Sequence, residues 1–236
     1  MLNFPTLHTS PFLSVLPETL ANKVKEIAVV VKYNDGEFIH DRGDMKRGLS
    51  IVKTGAVNVG VYGEDGAFIL TSTLGEGQCF GEFTLFTKLP RTHHAAARGV
   101  TEIYQIPGKK FMGLTEKEPQ ILNALLTVTL MRTHYLIEML DAFRRLPLRE
   151  RTAKTLVTMM GPRGATGTKG GEYKISCRQS ELASMLGVTR VSLNRVLQQL
   201  ADLTLIKIGY GYIEILDTNC MISWVGRHCG LTALEG

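Results

Sequence analysis

Short runs of β-branched residues dominate positions 29–106 of the chain, and turn signals separate them. The turn signals are NDGE at 34, RGD at 42, KTG at 53, GEDG at 63 and GEG at 75. Several short strands at near-regular spacing predict a small all-β barrel or sandwich. The preceding segment, PETLANKVKEIA, has a helical pattern, so a short helix is expected to lead into the strands.

A long helix is predicted directly after the strands. Residues 119–145 contain no glycine, and no proline after the first position, so one helix of about 25 residues, roughly 38 Å long, is expected. It carries two apolar stripes. One is a heptad-like seam of Leu122, Leu126, Thr129, Thr133, Leu136, Leu140 and Phe143, and the other consists of Leu125, Val128, Arg132, Tyr135 and Met139. Packing of the second stripe on the β domain leaves the seam for a twin helix, which predicts a homodimer; the alternative is a helix buried within one subunit.

The region after the long helix is predicted to begin with a second helix. Pro147 ends the long helix, and residues 149–160 again have a helical pattern. GPRGATGTKGG, at 161–171, predicts a hairpin-like surface loop. It is not a phosphate-binding P-loop, because Thr168 separates Gly167 from Lys169 and the required spacing is not met.

Residues 176–217 predict a winged helix-turn-helix. A first amphipathic helix ends at Gly187, which tolerates a positive φ, and Thr189 can cap the second helix. The apolar residues of the two helices and their corner are Leu182, Ala183, Leu186, Val188, Val191, Leu193, Val196, Leu197 and Leu200. The strands LIKIG and YIEIL around Gly209-Tyr210-Gly211 predict the wing.

The second helix of this motif is the predicted recognition helix, because its N-terminal end enters the major groove in such motifs. Its polar positions are Arg190, Ser192, Asn194 and Arg195. Arg190 and Arg195 are predicted to contact bases, since a guanidinium forms two parallel hydrogen bonds with guanine. Arg178, Gln179 and Thr189 are predicted to contact phosphates. The alternative is a helical pair used only for protein contacts.

The charge distribution supports a nucleic-acid partner for this half of the chain. The net charge of +5 is uneven: residues 144–236 contain 13 Lys and Arg against 7 Asp and Glu, whereas residues 1–143 contain 14 against 15. A compact basic region beside a neutral one is typical of binding to a phosphate backbone.

Composition places the protein among globular chains. Its 236 residues are 44% hydrophobic, no run approaches eighteen consecutive apolar residues, and the N-terminus lacks a basic region, so a cytoplasmic protein without a membrane partner is expected. The four cysteines have no CxxC pair and no clear metal spacing with histidine, so reduced thiols and no metal are expected.

Taken in order, Gly81-Glu82, Arg91-Thr92, the long helix and the winged motif resemble the catabolite activator (cyclic-AMP receptor protein) and fumarate-nitrate regulator family of bacterial transcription regulators. The resemblance covers nearly the whole chain. It implies an α+β fold: a jelly-roll-like, cyclic-nucleotide-binding β-roll over 1–118, a dimerisation helix over 119–146 and a winged helix-turn-helix domain over 147–236. It also implies a non-enzymatic homodimer that binds palindromic double-stranded DNA under effector control, with RNA polymerase as a further partner.

The resemblance assigns a phosphate-binding cassette to FGEFTLFTKLPRT, at 80–92. The residues carried over are Gly81, Glu82, Phe83, Thr84, Arg91 and Thr92. Gly81 allows close backbone approach, Arg91 supplies a bidentate fork for phosphate, and Glu82 can accept a hydrogen bond from a ribose 2′-OH. The alternative is that Glu82 and Arg91 only pair with each other inside the barrel.

The long helix is expected to complete this site. Arg132 falls where the family has an arginine that braces the cassette glutamate, so Glu82 is its predicted partner. Where the cyclic-AMP responders of the family place hydroxyl residues, this chain has Leu136 and Ile137, with Thr133 one turn earlier as the possible replacement. Cyclic AMP is therefore the favoured effector, while an apolar lid also fits another cyclic nucleotide, another ligand or an empty pocket.

Two further expectations concern departures from the family. Many relatives have a glutamate after the recognition arginine, whereas Val191 here offers only apolar contact, so a different half-site is expected. An iron-sulfur sensor is excluded because no cysteine precedes Cys79. Haem binding through Cys79, His93 and His94, an enzyme built on Cys79, His93 and Glu82, and a regulator without an effector are the alternatives.

Overall fold

The computed structural model describes residues 11–64, 66–87, 89–166 and 171–229, with the backbone alone for 161–166. The chain divides into two compact units, one of residues 9–133 and one that contains residues 134–236. The first unit contains α1 (Phe12–Val15), α2 (Glu18–Glu26), β1 (Val29–Tyr33), β2 (Phe38–His40), β3 (Gly48–Tyr62), β4 (Phe68–Leu74), β5 (Cys79–Phe80), α3 (Glu82–Phe86), β6 (His94–Pro107), α4 (Gly108–Lys117) and the first part of α5 (Pro119–Arg145).

The strands of the first unit form one antiparallel sheet in the order β1-β6-β3-β4, with β2 also paired to β6 and β5 to β3. This confirms the predicted all-β region and the α+β fold class. Apolar side chains from the sheet lie in two core clusters. One includes Leu49, Ile51 and residues of α1, α2, α4 and α5, and the other includes Val52 and Val57.

Strand β3 is longer than the sequence pattern suggested. The KTG turn signal at 53 lies inside β3, which has 15 residues, so the predicted turn there is wrong. Gly55 has a φ of +84°, and the register of β3 against β6 shifts on both sides of Thr54. The Thr101 hydroxyl donates to the Ala56 carbonyl at 2.9 Å and lies 3.3 Å from the Ala56 amide. Glycine therefore produces a bulge in a continuous strand, because a buried side chain binds the irregular backbone.

The long helix α5 has the bounds that the absence of helix breakers predicted. Leu125 and Val128, from the second stripe, are buried in the core of the first unit. Leu126, Leu136 and Leu140, from the heptad-like seam, keep 54%, 57% and 56% of their surfaces exposed in this single chain. The two stripes therefore differ in burial within the single chain, as the periodicity indicated.

The second unit contains the end of α5, α6 (Leu148–Thr166), β7 (Tyr173–Ile175), α7 (Gln179–Leu186), α8 (Arg190–Asp202), β8 (Ile206–Gly209), β9 (Tyr212–Ile215) and α9 (Thr218–Cys229). Its small sheet has the order β7-β9-β8. One core cluster joins the helices to this sheet through residues such as Leu156, Leu182, Leu197 and Ile213. The winged helix-turn-helix arrangement is thus confirmed.

The prediction of a loop over 161–171 is wrong in its first half, because α6 continues to Thr166. Gly161, Pro162 and Gly164 lie within that helix. Pro162 lacks an amide proton and removes one backbone hydrogen bond, yet α6 continues past it for four residues. Residues 167–170, the remainder of the predicted loop, lie outside the described residues. Within the described parts of the chain, no helix is long and apolar enough to cross a membrane.

Candidate effector site and DNA-binding face

Gly81 stands at the entrance to α3 and lies against Arg91. Its φ is +99°, in the left-handed region that side chains disfavour. A Cβ at this position would overlap the Arg91 guanidinium and lie 2.9 Å from the Gly48 carbonyl oxygen. Glycine is therefore required both by the backbone angle and by the close approach of Arg91.

Arg91 is a buried cation with only 8% of its surface exposed. Its Nη2 lies 3.4 Å from the Lys46 carbonyl oxygen, and its Nε has no hydrogen-bond partner among the described residues. Burial lowers the pKa of Arg91, while the charges of Asp44 and Glu82 act in the opposite direction. A buried guanidinium with an unused donor is costly for a folded protein to keep, so an anionic ligand would improve its environment.

Glu82 pairs with Arg132, as the sequence predicted. Arg132 Nη1 lies 3.1 Å from Glu82 Oε1, and the two side chains are only 13% and 14% exposed. Arg132 Nη2 also donates to the Cys79 carbonyl at 2.6 Å, which fixes the guanidinium against β5. The second carboxylate oxygen, Glu82 Oε2, is buried without a hydrogen-bond partner in the described part of the chain. One face of the carboxylate is thus held and the other is available as an acceptor.

The other cassette residues differ in exposure. Thr84 is buried, and its hydroxyl lies 3.0 Å from the Lys46 carbonyl and 3.1 Å from the Gly81 carbonyl. Phe83 keeps 51% of its surface exposed. The exposed Thr92 has its hydroxyl 2.9 Å from His93 Nδ1. Thr84 therefore binds the backbone of the cassette, whereas the side chains of Phe83 and Thr92 lie on the surface of the cassette.

Besides Arg132, three predicted site residues lie on α5. Thr133 is exposed, and its hydroxyl donates to the Thr129 carbonyl at 3.0 Å. Leu136 and Ile137 are 57% and 60% exposed. Of the three, only Thr133 offers a hydroxyl group to a ligand.

Cys79 is buried in the core beneath the cassette. Burial raises the pKa of its thiol to about 12, despite the nearby charge of Arg132. A thiol that stays protonated is a poor nucleophile and a poor metal ligand. Among the described residues, no group of histidine, cysteine, aspartate and glutamate side chains is arranged to hold a metal ion.

The recognition helix α8 begins as the sequence predicted. Thr189 caps it, with its hydroxyl oxygen accepting a hydrogen bond from the Ser192 amide at 3.2 Å. Leu193, Leu197 and Leu200 face the core and are fully buried. Gly187 precedes the cap with a φ of +64°, so the chain reverses between α7 and α8 without strain.

The outward face of α8 carries the predicted DNA-contacting side chains. Those of Thr189, Arg190, Val191, Ser192, Asn194 and Arg195 are all exposed. Val191 is 73% exposed, so it does not share the burial of the other apolar residues of α8. Leu193, Val196, Leu197 and Leu200 fill the inner face of α8, and position 191 lies at a different angle around the helix axis, outside that stripe. Val191 therefore agrees with the expectation of a surface contact.

The predicted phosphate contacts at 178 and 179 lie at the start of α7. Arg178 precedes the helix with an exposed side chain, and its amide donates to Glu181 Oε2 at 2.8 Å. Gln179 is the first residue of α7 and is partly buried. The backbone hydrogen bond fixes the place from which Arg178 projects.

Sequence comparisons agree with both units. Residues 30–118 match the model of the cyclic nucleotide-binding domain, and residues 150–222 match that of the Crp-like helix-turn-helix domain. The chain is 28% identical over 189 residues to the cAMP-activated global transcriptional regulator CRP of Salmonella typhimurium, covering 79% of this chain and 89% of that protein. It is 26% identical to the cyclic AMP receptor protein of Thermus thermophilus, over 78% and 82% of the two chains. The chain belongs to the CRP/FNR family of bacterial transcription regulators.

As a CRP/FNR protein, the chain is a transcription regulator with a cyclic-nucleotide-binding domain and a DNA-binding helix-turn-helix. The fold is shared with the c-di-GMP responsive global regulator CLP of Xanthomonas campestris, at a TM-score of 0.70 and 20% identity, over 85% of this chain and 99% of that one. The predicted family and fold class are confirmed.

Sequence reasoning did not identify one segment that contacts the cassette of this CRP/FNR regulator. Residues 41–47, between β2 and β3, meet it through the backbone of Asp44 and Lys46 and the side chain of Arg47. The one sequence signal noted in this segment was the RGD turn signal at 42, which predicted a turn but not the residues that the turn contacts. Every residue type has a backbone carbonyl, so the sequence pattern did not predict these contacts.

Proposed function

We propose that this regulator binds a cyclic nucleotide, with cyclic AMP as the favoured effector, and that binding controls its affinity for palindromic double-stranded DNA. The observation that carries the proposal is the pair of buried, opposite charges beside Gly81. Arg91 and Glu82 each keep one polar atom without a hydrogen-bond partner among the described residues.

The chemistry of the pair matches a ribose cyclic phosphate. Arg91 supplies a cation that can form two parallel hydrogen bonds with a phosphate, and the free oxygen of Glu82 accepts from a 2′-OH. Arg132 pairs with Glu82 and holds the carboxylate in place. Thr133, which lies one residue further along α5, is the proposed hydroxyl contact for the base. The protein uses these groups for binding, and we assign it no catalytic reaction.

The proposed DNA contacts follow from the exposed face of α8. Arg190 and Arg195 read bases, with Val191 offering apolar contact to a thymine methyl group. Ser192 and Asn194 lie beside them as further polar contacts, and Arg178, Gln179 and Thr189 contact phosphates. The basic excess of residues 144–236 adds sequence-independent attraction to the DNA.

A homodimer is proposed because the heptad-like seam of α5 is exposed in the single chain. Leu126, Leu136 and Leu140 each leave more than half of their surface exposed. A row of this kind is stabilised by packing against a second copy of the same row. A symmetric dimer places two recognition helices at half-sites one DNA turn apart, so an effector that changes the packing of the seam changes DNA affinity. Such a regulator acts in the cytoplasm, with RNA polymerase as its further partner.

Calorimetric titration of the purified chain with cyclic AMP and cyclic GMP tests the effector. We expect saturable binding of cyclic AMP that weakens at least about thirtyfold in Arg91→Ala, because removal of one partner of a buried charge pair costs about 2–5 kcal/mol. Lys53→Ala is the control, since Lys53 is an exposed cation of the same sheet that pairs with Glu102. Tighter binding of cyclic GMP than of cyclic AMP would identify cyclic GMP as the effector. No heat with either nucleotide would refute the proposed cassette function.

Sedimentation velocity tests the dimer. Leu140→Asp is expected to shift the chain to monomer, because a charge in the apolar seam is desolvated without a partner. Leu203→Asp is the matched control, since Leu203 is an exposed leucine of the second unit outside the seam. If the Leu140→Asp variant stays dimeric and the Leu203→Asp variant becomes monomeric, the interface lies outside the heptad-like seam of α5.

A further inference from the structure

The segment of residues 41–47, named here the 41–47 strap, is bound to the cassette along its length. The Gly43 amide donates to the Arg91 carbonyl at 2.8 Å, and the Arg91 amide donates to the Asp44 carbonyl at 2.9 Å. The Lys46 carbonyl accepts from the Thr84 hydroxyl at 3.0 Å and lies 3.4 Å from Arg91 Nη2. The position of Arg91 is thus fixed at both its backbone and its guanidinium by one short segment.

The start of the strap is fastened to β6 by a histidine. His94 Nδ1 lies 3.1 Å from Asp41 Oδ1 and 3.3 Å from the Arg42 amide nitrogen. One ring nitrogen cannot donate to the carboxylate and accept from the amide at the same time. In the neutral ring only one nitrogen carries a proton: a proton on Nδ1 is donated to Asp41, whereas a proton on Nε2 leaves the Nδ1 lone pair facing the carboxylate. When the ring is fully protonated, the contact becomes a charge-assisted hydrogen bond.

We propose that the 41–47 strap positions Arg91 for the effector phosphate, and that the Asp41–His94 pair fastens the strap so that effector affinity rises as His94 becomes protonated. This inference rests on the proposed function of the cassette. Protonation adds a positive charge to the ring beside the Asp41 carboxylate, so the contact strengthens as the pH falls. Asp41 and His94 are positioning residues, since they act on the ligand only through Arg91.

The other groups around His94 do not reproduce this behaviour. From β2, His40 is partly buried, and desolvation together with the charge of Arg91 lowers its pKa to about 3. Directly before β6, burial and the charge of Arg42 lower the pKa of His93. The rings of Phe38 and Tyr62 also lie beside His94, with centroids 5.7 Å and 5.1 Å from that of its ring, and neither carries a charge that could replace the histidine's.

Calorimetric titration of the full chain with cyclic AMP between pH 5.5 and 8 tests the inference. For the unmodified chain we expect affinity to increase about two- to fivefold as the pH falls, the range that a partly exposed ion pair supplies. His94→Gln keeps a hydrogen-bonding side chain without a charge change and is expected to remove the slope. Asp41→Asn is expected to do the same, and the double variant to lose no more than either single one.

Glu102→Gln is the control, because Glu102 forms an exposed ion pair with Lys53 on the same sheet and should leave the slope unchanged. A merely structural effect of His94→Gln would lower affinity equally at every pH and keep the slope, which would overturn the inference. Saturable binding in the unmodified chain with no pH slope would overturn it as well, while leaving the cassette function intact. Absence of cyclic-nucleotide binding to the unmodified chain would refute the cassette function and this inference together.

Discussion

The recognition helix and the cassette are both proposed to bind parts of nucleotides, but their contact residues differ in exposure and in separation along the sequence. On α8 the proposed contacts are exposed, and one face of a single helix carries them. In the cassette, Arg91 and Glu82 are largely buried, and their contacts come from residues 44–46 and from Arg132, which are 45 to 50 residues away in sequence. A DNA surface is large and accessible, whereas a small effector has to be enclosed.

This difference predicts how each site responds to mutation. Side chains on an exposed helical face can be removed with little effect on folding, so their loss should appear in DNA binding alone. Buried charges are held by partners, so their loss should affect both stability and ligand affinity. The predictions below test that contrast, from the largest expected effect to the smallest.

Arg132→Leu should have the largest effect, because it leaves Glu82 as a buried carboxylate without its cation. We expect the free energy of unfolding of the chain to fall by about 3–5 kcal/mol, measured by urea denaturation. Adding Glu82→Gln to Arg132→Leu should restore most of the loss, since the uncompensated charge is then removed. A loss below about 1 kcal/mol in the single variant would show that solvent already screens the pair.

Gly81→Ala should weaken cyclic AMP binding by about tenfold to a hundredfold, because strain at a positive φ costs of order 1–3 kcal/mol and the new Cβ displaces Arg91. Gly66→Ala is the matched control for calorimetry. Its φ of +75° imposes the same backbone strain, but no atom lies within 4 Å of the added Cβ. Equal losses of affinity in the two variants would mean that backbone strain, not displacement of Arg91, is responsible.

Arg190→Ala should reduce discrimination at one base pair by about 1–3 kcal/mol, measured by binding to a set of single-substitution operators. Arg178→Ala should instead weaken binding to every sequence alike and reduce the salt dependence by about one counterion. Neither variant should change the free energy of unfolding, since both side chains are exposed. Uniform losses in both variants would contradict the assignment of Arg190 to a base.

Thr189→Ala should have the smallest effect, a decrease of about 1 kcal/mol in the free energy of unfolding, because α8 loses the hydroxyl that accepts from the Ser192 amide. Thr189→Ser keeps the acceptor and should retain most of the stability. Thermal unfolding followed by circular dichroism measures both variants. If the serine variant loses as much as the alanine variant, the methyl group and not the cap is the important feature.

The amino-acid pattern alone determined the features that depend on neighbours in sequence. The bounds of α5, the turn at Gly187, the cap at Thr189 and the polar face of α8 follow from helical periodicity and from local backbone chemistry. The pairing of Arg132 with Glu82 was also predicted, but through the family resemblance, because periodicity gives a face of a helix and not the residue opposite it.

Only the tertiary structure decided the features that depend on residues distant in sequence. It placed the KTG signal inside β3, because Thr101 of a neighbouring strand binds the bulged backbone. It also brought the 41–47 strap onto Arg91 through main-chain carbonyl and amide groups, which every residue type except proline possesses. Such contacts are invisible in a sequence, because a backbone hydrogen bond selects a position in space and not a side chain.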